Sequence, residues 1–255
     1  MRGDTDLAAL GGVLADRSRA RMLLALGDGR ALPASVLASE AGVAASTASG
    51  HLGRLVDAGL LEVSVQGRHR YFRLAGPHVA ELIEALARVA PARPVRSLRE
   101  GTQAHALRMA RTCYDHVAGR LGVALFHGLL ERGALVGGDG VHRDGGADRL
   151  SAAGREVDYR LTPGGAQRLE ALGVEAFSVP PEGLPVRYCV DWTEQAHHLS
   201  GPVGRALATR LLELGWVRRA DRTRALHVTD AGARGFEREL GVRSARTLVA
   251  GRGAR

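Results

Sequence analysis

The first third of the chain alternates between apolar positions at helical spacing and short polar breaks. Leu7, Leu10 and Leu14 recur every three or four residues, as they do in an amphipathic helix, and Asp16 can cap the next helix. The pattern predicts four helices followed by a strand pair that encloses a basic turn. The predicted helices cover about 7–14, 17–26, 36–41 and 45–58, and the β-like runs cover 60–65 and 71–74.

Only a tight turn at Gly42 and Val43 separates the third and fourth predicted helices, and this spacing is typical of a helix-turn-helix. In that fold the fourth helix enters the major groove of duplex DNA with its N-terminal residues towards the base edges. A basic hairpin after it can contact the adjacent backbone or the minor groove. The predicted DNA-binding residues are Ser46, Thr47, Ser49, Gly50, His51 and Arg54 on the helix, and Arg68, His69 and Arg70 in the hairpin.

Five segments of this region, in the same order, resemble the ArsR/SmtB family of dimeric repressors. They are LADRSR (14–19), ASEAGV (38–43), STASGHL (46–52), AGLL (58–61) and GRHRYFRL (67–74). The resemblance covers about the first 90 residues. It implies a winged helix-turn-helix, derepression by an inducer, and dimerisation through the first helix and the helix at about 78–89.

The resemblance does not extend to the metal sites of the family's metal sensors. One such site places thiolates on the helix before the recognition helix, but residues 32–41 contain no cysteine. Another uses paired Asp/His and His/Glu ligands on the last helix, which here offers His78, Glu81 and Glu84 and no second histidine. Four ligands cannot be assembled from that set. We therefore expect any inducer to be recognised elsewhere.

The rest of the chain contains an internal duplication. Residues 91–103, which include a Pro-Ala-Arg-Pro run, are expected to form a linker. Beyond them, 116–133 align without gaps with 198–215, with nine identities in 18 positions. Each copy predicts an apolar helix that ends at glycine, a strand pair and a Thr-capped helix. We expect two winged-helix-like repeats, about 111–173 and 187–241, to form a pseudo-symmetric effector or oligomerisation domain over 104–250, with a mobile loop at 136–157.

An Arg-x-Cys-x-Asp element precedes each copy, around Cys113 and Cys189, and a histidine follows it. If 104–118 are helical, Cys113 and His116 share one face. Three interpretations stay open: a metal site of zinc type, a redox or electrophile-sensing thiol pair, or buried core cysteines beside structural Arg–Asp pairs. The candidate sensing residues are Cys113, His116, Cys189, His197 and His198.

Composition limits the possible classes of protein. The formal net charge of +8 permits DNA binding, but all 35 basic residues are Arg, which also fits a GC-rich genome. No apolar run could span a bilayer and no secretory signal is visible, so we expect a cytoplasmic protein. No phosphate loop, HExxH motif or nucleophile elbow appears, which argues against an enzyme.

The fold class expected is mainly α with small β-wings, an N-terminal winged helix-turn-helix over 1–90 and a C-terminal pair of repeats. The function expected is a homodimeric repressor that binds double-stranded DNA and is released by a signal, a small inducer or a metal ion, sensed in the C-terminal domain. Two alternatives remain: an architectural DNA-binding protein without an effector, and a metal- or thiol-binding protein with a DNA-binding head. Salt dependence of DNA affinity would separate the first of these.

Overall fold

The computed structural model describes residues 5–67, 69–91, 97–143, 157–221, 223–242 and 248. The chain divides into two compact units. Unit 1 is Met1–Ile83 with Arg222–Arg224, and unit 2 is Glu84–Asp221 with Ala225–Arg255. Among the described residues, none of the helices combines the length and the apolarity that a membrane span requires.

Unit 1 contains the predicted helices and wing, and the fold class is confirmed here. Asp16 begins the second helix, since its side chain accepts hydrogen bonds from the backbone N–H groups of Ser18 and Arg19. Gly42, with a left-handed φ of 72°, ends the third helix and forms the tight turn. The elements are α1 (Leu7–Leu14), α2 (Arg17–Ala25), β1 (Leu32–Pro33), α3 (Ala34–Ala41), α4 (Ala45–Asp57), β2 (Leu61–Gln66), β3 (His69–Leu74) and α5 (Pro77–Val89), which continues into unit 2.

A small antiparallel sheet in the order β1-β3-β2 forms the wing. The short strand β1 is an addition to the predicted pair, and it places Leu32 opposite Phe72. Phe72, Leu37, Leu52 and Leu55 are buried, so apolar side chains of α3, α4 and the wing form the core of this unit. Burial of this face fixes α4 on the unit and leaves its other face to solvent.

Unit 2 consists mainly of two copies of one pattern: hairpin, long helix, strand pair, shorter helix. The first copy follows α6 (Leu98–Met109) and comprises β4 (Arg111–Cys113), β5 (His116–Ala118), α7 (Gly119–Glu131), β6 (Leu135–Val136), β7 (Arg160–Leu161) and α8 (Pro163–Ala171). The strand β8 (Leu184–Pro185) pairs with β7. The second copy comprises β9 (Arg187–Val190), β10 (His197–Ser200), α9 (Gly201–Glu213), β11 (Val217–Arg219), β12 (Leu226–Val228) and α10 (Asp230–Leu240).

Equivalent residues cap the shorter helices and follow the long helices in the two copies. Thr162 caps α8 and Thr229 caps α10, and each hydroxyl accepts a hydrogen bond of 2.9 Å from the N–H of the glycine three residues later. The glycines that follow α7 and α9, Gly133 and Gly215, both have φ of 64°. The duplication in the sequence is therefore a duplication of local structure.

The two copies pack reciprocally. A Cβ on Gly122 of α7 would lie 3.4 Å from Cβ of His198 in the second copy, and a Cβ on Gly204 of α9 would lie 3.3 Å from Cβ of His116 in the first. Each long helix thus lies against the histidine of the other copy's hairpin. A pseudo-two-fold relation between the copies follows.

Two expectations about this unit are corrected. Residues 104–118 are not one helix, because α6 ends at Met109 and Cys113 and His116 lie on the separate strands β4 and β5. The expected linker is shorter than 91–103, since residues 98–103 belong to α6. Most of the loop expected at 136–157 lies outside the described residues.

Candidate functional site

The outer face of α4 is polar, small and exposed. Ser46, Thr47, Ser49, Gly50 and Arg54 are all exposed, while Leu52 and Leu55 of the same helix are buried. A Cβ on Gly50 would meet no atom within 4 Å. This side of the helix therefore presents hydroxyl groups and one guanidinium among small side chains. A helix face without bulky side chains can enter a groove deeply.

His51 lies closer to the protein than the other predicted contacts of α4. Its Nδ1 is 3.7 Å from Asp16 Oδ1 and 3.4 Å from Arg19 Nη1. Arg19 is buried and also donates through Nη2 to the carbonyl of Gly12 at 2.9 Å. In this arrangement His51 ties the middle of α4 to the α1–α2 junction.

The wing hairpin presents its basic residues at the tip of β2 and β3. Gln66 pairs with His69 and Val65 with Arg70 in the antiparallel register, and both basic side chains are exposed. The guanidinium of Arg70 lies 5.3 Å from the Phe72 ring centroid, which orients it by a cation–π contact. Arg68, the third predicted wing residue, lies outside the described residues.

In unit 2 the two cysteines and two of the histidines meet in one buried cluster. Cys113 is directly opposite His116 in the β4–β5 hairpin, and Cys189 is directly opposite His198 in the β9–β10 hairpin. The potential ligand atoms of these four residues all lie within 4.8 Å of one another. We call these residues the Cys/His cluster. The expected proximity of Cys113 and His116 therefore arises from two paired strands and not from one face of a helix.

His197, the fifth predicted residue, is not in the cluster. Successive side chains of a strand point to opposite faces, so His197 and His198 diverge although they are neighbours. The Nδ1 of His197 is 2.8 Å from the hydroxyl of Tyr159, and its ring lies 4.4 Å from that of Tyr188. It belongs to an aromatic core group instead.

Each cluster histidine has a carboxylate beside its Nδ1 atom. Asp115 Oδ1 is 3.1 Å from Nδ1 of His116, and Asp191 Oδ2 is 3.9 Å from Nδ1 of His198. These are the aspartates of the two Arg-x-Cys-x-Asp elements. The Nε2 atoms of both histidines and Nδ1 of His198 are buried without a hydrogen-bond partner.

Burial and close contact shift the pKa values of the cluster. The neighbouring Cys189 side chain, together with burial, raises the pKa of the Cys113 thiol well above its usual range. Burial lowers the pKa of His198 to about 3, and the nearby His116 adds to this. Burial alone would lower the pKa of His116, but Cys113 and Asp115 outweigh it and raise the pKa to about 9.

A buried ion pair connects the copies next to the cluster. Arg111 Nη2 donates to Asp191 Oδ2 at 2.9 Å, and both side chains are fully buried. The same Oδ2 accepts from the backbone N–H of Gly119 at 2.7 Å, where α7 begins. Burial opposes the ionisation of Asp191, but Arg111 outweighs it and holds the pKa of Asp191 well below its usual range. The repeated Arg and Asp positions were the only sequence signal for this link, and they did not reveal that it runs between copies.

Comparison with known proteins finds one matching domain family and several related regulators. The model of a helix-turn-helix domain family matches residues 14–64. An uncharacterised HTH-type transcriptional regulator, YdfF of Bacillus subtilis, is 38% identical over 239 residues, which are 93% of this chain and 98% of that protein. The HTH-type transcriptional regulator CmtR of Mycobacterium tuberculosis is 38% identical over 86 residues, 34% of this chain and 72% of CmtR.

Solved structures also match the N-terminal region. The NMR structure of CmtR, a cadmium sensor from M. tuberculosis, is 36% identical with a TM-score of 0.29, and the match covers 36% of this chain and 100% of that one. A homodimeric winged helix-turn-helix domain from Mycobacterium bovis, described as a possible ArsR-family regulator, is 32% identical with a TM-score of 0.29, and the match covers 32% of this chain and 83% of that one.

Unit 1 is a winged helix-turn-helix domain, the fold of a DNA-binding regulator. The chain belongs to the family of HTH-type transcriptional regulators that includes YdfF, and the expected resemblance of its N-terminal region to helix-turn-helix transcriptional regulators is confirmed. Because the likeness to YdfF covers 93% of the chain, unit 2 is part of this family's architecture as well.

Proposed function

We propose that this regulator is a homodimeric, cytoplasmic repressor that binds an inverted-repeat operator in duplex DNA. The observation that carries the proposal is the outer face of α4, where Ser46, Thr47, Ser49 and Gly50 form an exposed polar surface on a helix whose other face is buried. Hydroxyl groups can read either base edge, and Arg54 can reach a guanine or a phosphate. His51 would act from behind this face by holding α4 in place.

The wing supplies sequence-independent affinity in this proposal. His69 and Arg70 are exposed at the tip of the hairpin, where they can meet phosphate oxygens, and Arg68 lies between β2 and β3 in the sequence. Contacts of this kind set the position of the protein on the duplex. Base contacts from α4 then determine which DNA sequence is preferred.

We assign regulation to unit 2. It is the larger part of the chain. None of its described helices has the exposed hydroxyl pattern of α4, and its described residues include a buried set of reactive side chains. A signal bound there would release the operator.

Selection of binding sites from random duplex DNA tests the proposal. A homodimer requires enriched inverted half-sites whose centres are about 10 bp apart, one helical turn. Recovery of no motif, or of a single asymmetric half-site, would contradict the dimeric repressor.

The same selection with the Ser46→Ala and Thr47→Ala variants tests the assignment of α4. We expect the preferred bases at one or two positions of each half-site to change, because a lost base contact costs about 1–3 kcal/mol of discrimination. Ser64→Ala is the matched control, since Ser64 is exposed on β2, outside α4. An unchanged motif for both α4 variants would mean that another element reads the bases.

A further inference from the structure

We propose that Cys113, His116, Cys189 and His198 form a tetrahedral site for one Zn²⁺-class divalent ion, placed between the two copies of unit 2. The ligand set of two thiolates and two imidazoles is the set that zinc prefers. Both partners of each cross-strand pair contribute, so each hairpin supplies one sulfur and one nitrogen. This site does not depend on the proposed operator or on dimerisation.

The distances suit an ion without rearrangement of the backbone. In a tetrahedral site with Zn–S bonds of about 2.3 Å, neighbouring ligand atoms lie roughly 3.8 Å apart. Here all four lie within 4.8 Å of one another. Small side-chain rotations that move the ligand atoms by about 1 Å would complete the coordination shell of an ion.

Unpartnered nitrogens distinguish a metal site from a core packing of cysteines. The Nε2 atoms of His116 and His198 are buried without a hydrogen-bond partner. A buried polar atom left unsatisfied costs about 1–3 kcal/mol. A metal ion would satisfy both nitrogens at once, whereas a disulfide between Cys113 and Cys189 would leave both as they are.

The repeated aspartates complete the pattern expected around a metal-bound histidine. A ligating imidazole usually donates its other N–H to a carboxylate, which fixes the ring and strengthens the ligand. Asp115 is positioned to do this for Nδ1 of His116, and Asp191 lies on the Nδ1 side of His198. We therefore assign Nε2 as the ligand atom of both histidines. In each copy the Arg-x-Cys-x-Asp element then supplies one ligand, the cysteine, and one carboxylate that supports the ligating histidine.

Binding balances charge in the buried site. Each thiol gives up its proton to solvent and binds as thiolate, and the protonated His116 side chain releases the proton of its ligating nitrogen to solvent as well, so that each imidazole binds through a neutral nitrogen. Two thiolates then cancel the charge of one divalent ion, which removes the cost of burying an isolated charge. The ion would fix the β4–β5 hairpin to the β9–β10 hairpin.

Cobalt titration of the full, chelator-treated and reduced chain tests the site. We expect one Co²⁺ per chain, with the thiolate-to-cobalt charge transfer and the intense visible bands of tetrahedral Co²⁺, and displacement of these bands by one equivalent of Zn²⁺. Zn²⁺ should also raise the unfolding temperature in a concentration-dependent way. A folded, reduced wild-type chain that takes up less than half an equivalent, or gives only octahedral Co²⁺ bands, would overturn the proposal without any variant.

Variants then test the ligand assignment. Cys113→Ser, Cys189→Ser and His198→Asn should each lose or shift the visible bands and lower Co²⁺ affinity at least tenfold. His197→Gln replaces the adjacent buried histidine and His105→Gln an exposed one on α6, and both should keep the bands. Loss of the bands in a folded His197→Gln chain, or their retention in Cys113→Ser, would refute the assigned set. Selection of an operator by the metal-free chain reports on the proposed function separately.

Discussion

At the scale of single residues, one carboxylate organises the base of the recognition helix. Asp16 caps α2 through the N–H groups of Ser18 and Arg19, and it also lies beside His51 of α4. The N–H of Arg19, with the charges of His51 and Arg19, lowers the pKa of Asp16 against the opposing effect of burial. The sequence predicted the cap from its position before an apolar run, but it gave no sign that the same side chain faces α4.

We expect Asp16→Ala to lower the local stability of α2 by about 1 kcal/mol, because the first amides of the helix lose their acceptor. Asp16→Asn keeps an acceptor and should cost less. Hydrogen exchange of the α2 amides measures both effects. Tryptophan fluorescence would not report on α2, because neither tryptophan of the chain is in unit 1. The pKa of Asp16 is lowered on folding, so its charge stabilises above the unfolded pKa of about 3.9 and the benefit is lost as pH falls through the folded value.

The wild type should therefore exceed Asp16→Asn in stability near neutral pH, and the difference should vanish in acid. Equal exchange rates in the wild type and Asp16→Ala at pH 7 would show that the cap contributes nothing. A difference between wild type and Asp16→Asn that grows towards low pH would contradict the lowered pKa.

At the scale of elements, the predictable parts are those long enough to show a period. The helices α2 and α4 and the wing strands were predicted to within a few residues, because apolar spacing and glycine stops define them. Strands of three residues, such as Arg111–Cys113, are too short to show alternation, and the apolar residues before them favoured a continued helix. Because β10 is also short, the sequence did not indicate which of His197 and His198 faces the cluster. Only the register of β10 decides this.

The reciprocal glycines of unit 2 give a prediction about α7 and α9. A Cβ at position 122 would lie 2.4 Å from the carbonyl oxygen of Val117, and one at position 204 would lie 2.7 Å from that of Leu199. Both contacts are with backbone, so Gly122→Ala and Gly204→Ala should each lower the free energy of unfolding by about 1–3 kcal/mol. Urea unfolding followed by tryptophan fluorescence measures this, because Trp192 and Trp216 are both in unit 2.

Gly164→Ala in α8 is the matched control. A Cβ there would meet no atom within 4 Å, so we expect no loss of stability and a gain of up to about 1 kcal/mol. If Gly122→Ala were strongly destabilising and Gly204→Ala neutral, the two helices would not be packed equivalently and the pseudo-two-fold relation would be wrong.

At the scale of the whole molecule, a net charge of +8 does not say which surface meets DNA. The architectural alternative uses the wing-like hairpin of β11 and β12 as a further DNA contact. Its basic run is only partly available, because Arg219 is half-buried while Arg218 is exposed. The wing of unit 1 presents both His69 and Arg70 to solvent. We therefore expect phosphate contacts from unit 1 and none from unit 2.

Salt dependence separates these two cases. The slope of log affinity against log salt concentration changes by about 0.9 for each phosphate contact on duplex DNA. Arg70→Ala should make the slope shallower by about that amount per chain and weaken binding to all sequences similarly, since a wing contact to phosphate carries no base information. Arg218→Ala removes the same side chain from the β11–β12 hairpin and should leave the slope unchanged. An equal change of slope in both variants would mean that the hairpin of unit 2 also lies on the DNA, which is what the architectural alternative requires and a regulatory unit 2 does not.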